Sequence, residues 1–222
     1  MVDEPVAAAV SPLSGARRRL VDELRTKGIG DPAVLAAVGS VPRHAFVPSG
    51  VRHRAYEDAA LPIGSGQTIS QPFVHARSLE LLRLAGHERV LEVGTGSGYQ
   101  TALLSRIAAA VYSVERVEAL LDLARVALQV AGVSNVHLSV ADGTAGWPDH
   151  APYDAIVVSA GSPEIPQPLL AQLADGGRLL VPIGDRKAQH LVLVERKGTR
   201  YVDQAFNSVR FVPLLGEHGW RE

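Results

Sequence analysis

The order of apolar and polar residues along the chain predicts a helical beginning followed by a long connection. After Ser14 the apolar positions recur on one helical stripe, which ends at Gly28. Asp31 and Pro32 predict a second short helix, since Asp caps a helix N-terminus and Pro suits the first helical position. Residues 45–72 show no sustained period. A connection of this length inside a compact domain is usually functional.

From Pro72 onward, predicted helices alternate with apolar, β-branched strands. A helix after Pro72 precedes the strand RVLEV. The segments that follow it are a helix at Tyr99–Ile107, a strand at Ala110–Glu115, a helix at Val117–Ala131, and strands at Val136–Ala141, Ala155–Ser159, Gly177–Ile183, Leu191–Arg196 and Gln204–Val212. This order predicts an α/β fold with a doubly wound, mostly parallel, Rossmann-like sheet and a helical N-terminal extension. The last three strands lie so close in sequence that we expect an antiparallel edge.

Length and composition narrow the domain organisation. The chain has 222 residues, which favours one main domain. We expect a disordered tail at 1–12 and a single domain at 13–222. Within that domain, 13–88 would hold the N-terminal helices and an active-site loop, and 89–222 the cofactor-binding sheet.

Charge and targeting signals exclude several classes of partner. There are 22 Lys and Arg residues against 23 Asp and Glu residues, so no strong field selects nucleic acid or an anionic membrane. Cysteine is absent, which removes disulfides, thiolate metal sites and a cysteine nucleophile. Histidines such as His44, His53 and His87 lack metal-ligand spacing, so we predict no metal. Without a leader or an apolar run of membrane length, we expect a cytoplasmic protein, and we also expect a monomer.

The candidate chemistry begins at the glycine-rich turn that follows the strand RVLEV. Gly94, Gly96 and Gly98 stand between this strand and the next helix, where open α/β sheets bind nucleotide-like ligands. Glycines allow a tight turn and a close approach of the backbone to a ligand. Taken alone, the segment is also compatible with a plain strand–helix turn.

Acidic residues near the ends of three successive strands favour a ligand site over a plain turn. They are Glu92, Glu115 and Asp142, the last followed by Gly143. Three acids converging on one crevice suit a cationic ligand better than a pyrophosphate. An NAD fingerprint would place its third glycine where Tyr99 stands. S-Adenosylmethionine carries a sulfonium, an amino group and a ribose but no phosphate, and it fits these acids.

At this point the turn resembles motif I of the class I S-adenosylmethionine methyltransferases. The preceding segment ALPIGSGQTISQP, residues 60–72, looks like the signature of the protein-L-isoaspartate O-methyltransferases. Further matches are VPR at 41–43, SVER at 113–116, PEIP at 163–166 and VRFVPL at 209–214. The resemblance thus spans roughly residues 41–214. Residues 159–162, SAGS, replace the expected Thr-Ala-Ala-Pro but keep small side chains, so we expect a pocket wall of compatible shape.

The resemblance implies a role for each matching residue. Ser70 would be the active-site residue, with a hydroxyl that aims a carboxylate and does not act as a nucleophile; an N-cap of the next helix is the alternative reading. Glu92 and the glycine turn would face the methionine portion of the cofactor, and Glu115 its ribose. His75, one helical turn along from Gln71, would meet the cofactor or serve as a half-buried structural histidine. The implied cofactor-binding residues are Gly64, Ser65, Gly66, Gln67, Thr68, His75, Glu92, Gly94, Thr95, Gly96, Glu115, Asp142 and Gly143, and the implied substrate-binding residues are Ile69, Ser70, Val212, Pro213 and Leu214.

The implied reaction transfers a methyl group from S-adenosyl-L-methionine to the free α-carboxylate of an L-isoaspartyl residue, leaving S-adenosyl-L-homocysteine. The ester would then collapse to a succinimide, which reopens partly to normal aspartate and so begins repair of the damaged protein or peptide. Three alternatives stay open: a small-molecule methyltransferase of the same fold, an NAD-dependent oxidoreductase, and a cofactor-binding module without turnover. The motifs QTISQP and RFVPL count against the first, Tyr99 against the second, and intact Ser70 and Glu92 against the third.

Overall fold

The computed structural model describes residues 12–221, within which a seven-stranded sheet carries helices on both faces. The helices are α1 Pro12–Thr26, α2 Pro32–Ser40, α3 Pro72–Leu82, α4 Tyr99–Leu104, α5 Glu118–Val130 and α6 Gln167–Ala171. The strands are β1 Leu61–Gly64, β2 Gln67–Ile69, β3 Arg89–Val93, β4 Ala110–Glu115, β5 Val136–Val140, β6 Tyr153–Val158, β7 Leu173–Gly184, β8 Gln189–Lys197 and β9 Arg200–Val209.

The strand order creates a crevice beside β3. The sheet runs β5-β4-β3-β6-β7-β8-β9, with parallel pairing from β5 to β7 and antiparallel pairing from β7 to β9. The predicted parallel sheet and its antiparallel edge are therefore confirmed. The chain winds outward from β3 to β5 and then crosses to β6 on the other side of β3. Ligands of open α/β sheets bind at such a switch point, beyond the carboxyl ends of the strands.

Alternation along β3 separates two hydrophobic clusters. Val90 packs into the cluster that contains residues of α1 to α5, whereas Leu91 and Val93 pack into the cluster on the α6 side. Glu92 shares the face of Val90, because side chains two positions apart on a strand point the same way. A carboxyl group is thereby placed inside the core, beside α4.

The N-terminal helices support the segment that precedes the sheet. Asp31 caps α2, as predicted, since its carboxylate accepts hydrogen bonds from the N–H groups of Ala33 and Val34. α2 packs against α1, α3 and α4. No helix between residues 12 and 221 has both the length and the apolar character needed to cross a membrane. The predicted tail, residues 1–12, lies outside the described residues except at Pro12.

The structure differs from the predicted elements in several details. The long connection contains the hairpin β1–β2, which its three-residue and four-residue strands hid from a periodicity argument. Helix α6 was not predicted, and α4 ends at Leu104. Strand β7 begins at Leu173, four residues before the predicted start, and β9 runs from Arg200 to Val209. Because β9 stops early, the backbone of Val212 pairs instead with the segment after β6, where it accepts a hydrogen bond from Gly161.

Candidate active site

A cavity lies in the predicted crevice at the carboxyl ends of β3, β4 and β6. Its walls are the glycine turn after β3, the hairpin β1–β2, the start of α3 and the C-terminal segment after β9. The predicted residues that line it are Gln67, Thr68, Ile69, Ser70, His75, Gly94, Thr95, Gly96, Glu115, Gly143, Val212, Pro213 and Leu214. Gly64, Ser65, Gly66, Glu92 and Asp142 are not among the lining residues.

The glycine turn has a conformation and an environment that need glycine. Gly94 has a φ of 94° and Gly98 a φ of 84°, in the left-handed region that side chains rarely adopt. A Cβ on Gly98 would lie 3.1 Å from the Cβ of Ala124 on α5. The N–H of Gly94 donates to the carbonyl of Val114 at 2.8 Å, which ties the turn to β4.

Glu115 both shapes the turn and faces the cavity. Its carboxylate accepts hydrogen bonds from the N–H of Gly96 at 2.9 Å and from the N–H of Val117 at 3.0 Å. Each carboxylate oxygen can accept a further hydrogen bond. Glu115 is therefore placed to take hydroxyl donors of a ligand while it holds the turn.

Glu92 lies beneath the cavity floor. It is fully buried, and one carboxylate oxygen accepts hydrogen bonds from Thr101 Oγ1 at 2.5 Å and Ser113 Oγ at 2.7 Å. Since the single hydroxyl proton of Ser113 goes to Glu92, Thr95 must donate to Ser113 across 2.6 Å. The other carboxylate oxygen, Oε1, has no partner among the described residues. Burial raises the pKa of Glu92 to about 7, against the opposing hydroxyl donors of Thr101 and Ser113.

A second polar chain crosses the cavity from α3 to β6. His75 Nδ1 lies 2.9 Å from Gln100 Oε1, and Gln100 Nε2 donates to Ser159 Oγ at 2.8 Å. Because the amide oxygen of Gln100 faces the imidazole, Nδ1 of His75 carries the proton. Burial, with the nearby Arg43 charge, lowers the pKa of His75 to about 3, so the ring is neutral at pH 7. His75 therefore lines the cavity and also orients Gln100 and Ser159.

Ser70 stands at the end of the hairpin with a free hydroxyl. No side-chain cap bond is made at the start of α3, and Ser70 Oγ has no hydrogen-bond partner among the described residues. Asp58 satisfies the helix instead, because its Oδ1 accepts the N–H of Phe73 at 2.7 Å. The capping alternative for Ser70 is thus wrong, and its hydroxyl is available to a ligand.

Arg43 anchors the backbone of Ser70 from inside the protein. Its side chain is fully buried, and Nη2 donates to the Ser70 carbonyl at 2.9 Å. The guanidinium carbon lies 4.9 Å from the ring centroid of Tyr99. Within residues 12–221 no carboxylate pairs with this guanidinium, and Nε and Nη1 lack partners. Burial lowers the pKa of Arg43 to about 10, so the group keeps its charge at neutral pH.

The remaining predicted residues form the walls. The segment Val212–Leu214 is held beside β6, where Leu214 N–H donates to the Gly161 carbonyl at 2.8 Å. Gly143 has no room for a side chain, since a Cβ would lie 2.5 Å from Val93 Cγ1. Asp142 accepts the N–H of Glu217 at 2.8 Å and so ties down the C-terminal segment.

Sequence reasoning assigned no role to three residues that shape the site, namely Gln100, Asp58 and Arg43. Their partners lie 15 to 59 positions away in sequence, beyond the reach of local patterns, although the family match at 41–43 includes Arg43. Ser159 belongs to the segment that was expected to form a pocket wall, and it lines the cavity. Among the described residues, no group of three or more His, Cys, Asp or Glu side chains could hold a metal ion.

A groove of about 590 Å³ meets this cavity on the far side of Ser70. The residues that line both spaces are Thr68, Ser70, Ser159 and Val212. A ligand in the first cavity and a ligand in the groove would therefore meet beside the Ser70 hydroxyl. Such a junction suits the transfer of a group between two bound molecules.

Comparison with known proteins places this arrangement in a family. The family described as protein-L-isoaspartate(D-aspartate) O-methyltransferase (PCMT) matches residues 15–219. A protein-L-isoaspartate O-methyltransferase of Methanoregula boonei is 52% identical over 210 residues, which cover 94% of this chain and 97% of that protein. One of Dictyoglomus thermophilum is 50% identical over 206 residues, 93% of this chain and 94% of the relative.

Solved structures agree with the sequence matches. One protein-L-isoaspartate O-methyltransferase superposes with a TM-score of 0.84 and 32% identity, covering 91% of this chain and 67% of that chain. A Plasmodium falciparum protein described as a protein-L-isoaspartate O-methyltransferase gives a TM-score of 0.79 and 26% identity, covering 90% of this chain and 98% of its own. The Plasmodium structure is a complex with S-adenosyl-L-homocysteine.

Proposed function

This chain belongs to the protein-L-isoaspartate(D-aspartate) O-methyltransferase family, and on that premise we propose how its residues carry out the reaction. It is an S-adenosylmethionine-dependent enzyme that methylates the free α-carboxylate of isoaspartyl residues, the first step of repair through a succinimide. The observation that carries the proposed site is the junction of two cavities at Ser70. A methyl donor bound in the cavity and the isoaspartyl residue of a peptide bound in the groove would meet there.

The residues around the first cavity fit S-adenosylmethionine. The cofactor supplies a methyl group on a positively charged sulfur. Glu115 offers acceptor oxygens to ribose hydroxyls, and the unpaired Oε1 of Glu92 contributes negative charge beneath the cavity floor. The glycine turn gives close access to the backbone. Gly64, Ser65 and Gly66 support this wall from the hairpin turn, outside the cavity itself.

The reaction requires the protein to position the carboxylate against the methyl donor and to exclude water. An isoaspartyl carboxylate is already ionised at neutral pH, so it needs no general base. One of its oxygens forms the bond to the methyl carbon while the methyl–sulfur bond breaks and sulfur keeps the electron pair. We assign to Ser70 Oγ a hydrogen bond that holds the carboxylate in line for this displacement. Arg43 fixes the Ser70 backbone, and Val212, Pro213 and Leu214 form the wall beside the substrate.

A labelled-methyl assay tests the assignment of substrate. Purified protein receives methyl-labelled cofactor and two peptides that differ only in an isoaspartyl or an aspartyl linkage. We expect base-labile label on the isoaspartyl peptide alone. Equal labelling of both peptides, or of neither, would contradict the proposal and favour a small-molecule acceptor.

Substitution of Ser70 tests the assignment of the site. Loss of a hydrogen bond to a charged group costs about 1.5 to 3 kcal/mol, so Ser70→Ala should lower kcat/KM by roughly 10- to 100-fold. Cofactor affinity, measured by calorimetry, should change far less. Ser105→Ala is the matched control, since its hydroxyl bonds only the carbonyl of Ala102 and Ser105 lines neither the cavity nor the groove. Unchanged turnover in Ser70→Ala would remove Ser70 from the site.

The sequence-based expectations of a cytoplasmic monomer that binds no nucleic acid stay predictions.

A further inference from the structure

The groove beyond Ser70 differs from the cofactor cavity in its charge. It runs between the start of α3 and the end of β9, with an apolar floor that includes Phe73 and Phe211. Three cationic side chains line it, namely Arg77, Lys187 and Arg210, and no Asp or Glu does. This excess is local, because the whole chain has a formal net charge of −1.

Two of the three cations lack a carboxylate partner. Arg77 is paired with Glu80 at 2.8 Å. Lys187 and Arg210 are exposed, and neither forms an ion pair within the part of the chain that the structure describes. Asp185 lies two positions before Lys187; one oxygen of its carboxylate accepts the backbone N–H groups of residues 187 and 188 at 2.7 and 2.9 Å, and its charge interacts with that of Lys187. The ammonium group of Lys187 and the guanidinium group of Arg210 nevertheless form no ion pair within residues 12–221, so both are open to a bound chain.

We infer that this groove binds the polypeptide on either side of the isoaspartyl residue and selects substrates whose neighbouring residues are acidic. The inference rests on the proposed function, since the groove opens onto Ser70. Damaged segments with Asp or Glu beside the isoaspartyl residue would gain charge pairing with Lys187 and Arg210. Segments with neighbouring Lys or Arg would be repelled. Exposed ion pairs each contribute modestly, so each charge should change kcat/KM by roughly two- to fivefold.

A peptide series measures this selectivity. Three peptides share one frame with a single isoaspartyl residue flanked on both sides by Glu, Gln or Lys, and a fourth is the Glu-flanked peptide with a normal aspartyl linkage. At low salt we expect kcat/KM in the order Glu, Gln, Lys, with no labelling of the aspartyl peptide. The spread should narrow in 0.5 M NaCl, because salt screens exposed charges.

Variants of the full-length chain assign the selectivity to the groove. Lys187→Gln and Arg210→Gln should each reduce the Glu-over-Gln preference by about two- to fivefold, and the double variant should nearly abolish it. Arg200→Gln is the matched control: it removes an exposed arginine at the opposite end of β9, roughly 30 Å from Arg210 by strand length, and should leave the preference intact.

The possible outcomes separate this inference from the function on which it rests. If all isoaspartyl peptides are labelled with equal kcat/KM, the selectivity is overturned while the proposed function stands. A Glu preference that survives in the double variant overturns the assignment to Lys187 and Arg210. If no isoaspartyl peptide is labelled, the proposed function and this inference both fail.

Discussion

The buried carboxyl group of Glu92 makes the stability of the protein depend on pH in an unusual direction. The side chain is fully buried, with one oxygen unpaired, and its pKa is raised to about 7 from the usual 4.5. The substitution Glu92→Gln keeps the shape and an acceptor for Thr101 and Ser113, but it removes the charge. The variant therefore isolates the cost of ionising a carboxyl group inside the core.

The direction of the pH dependence of stability follows from whether the folded or the unfolded state binds the Glu92 proton more tightly. The folded state holds the Glu92 proton to higher pH than the unfolded state does, so its contribution to stability is present below about pH 4.5 and is lost as pH rises through 7. A shift from 4.5 to about 7 corresponds to about 3 kcal/mol in full. Between pH 5 and pH 8, roughly 2 to 3 kcal/mol of this is lost.

Urea unfolding of wild type and variant at pH 5 and pH 8 measures the effect. The unfolding free energy of Glu92→Gln minus that of wild type should rise by roughly 2 to 3 kcal/mol between these pH values. Glu88→Gln is the control. Although burial opposes ionisation of Glu88, the N–H donors of Ala85 and Gly86 lower its pKa. The contribution of Glu88 is present above its unfolded pKa, so the cost of Glu88→Gln should change little from pH 5 to pH 8.

A flat difference between wild type and Glu92→Gln across this range would refute the argument, since it would mean that Glu92 ionises as easily as in the unfolded chain. The same variant tests the proposed function of the group. A cation bound above Glu92 favours its ionised form, so wild-type affinity for S-adenosylmethionine should increase from pH 6 to pH 8. Glu92→Gln should bind more weakly and lose this dependence.

Three further substitutions test the site by other measurements. Glu115→Gln should weaken cofactor binding by roughly 10- to 100-fold in calorimetry, because it removes a charge and one of two acceptors that hold the turn; unchanged affinity would remove the ribose assignment. Arg43→Met should lower kcat roughly tenfold, since the Ser70 carbonyl loses its donor, while Arg43→Lys should restore part of the rate; equal kcat in all three proteins would exclude a positioning role. Gly143→Ala should lower the free energy of unfolding, measured in urea, by about 1 to 3 kcal/mol, because the new Cβ meets Val93. A urea midpoint equal to that of wild type would show that the side chains beneath the cavity can move aside.

The elements that follow local rules were predictable from sequence. The strand Ala110–Glu115 was predicted with the bounds the structure has, because apolar alternation and β-branched residues mark a buried strand within a few positions. The glycine turn was equally local, since its φ values exclude most other residues. The hairpin β1–β2 was not predicted, because strands of three or four residues are too short to show a period of apolar and polar positions.

Tertiary packing determined which residues distant in sequence became hydrogen-bond partners. The sequence placed Glu92 and Glu115 at the ends of strands, but only the fold separated a carboxylate beneath the floor from one that faces the cavity. It also left Ser70 as cap or active-site residue; the fold excludes the cap, because Asp58 reaches the helix start from a distant turn, and the active-site role stays a proposal. Periodicity and backbone preference act over a few residues, whereas burial and hydrogen-bond partnership depend on which segments the fold brings together.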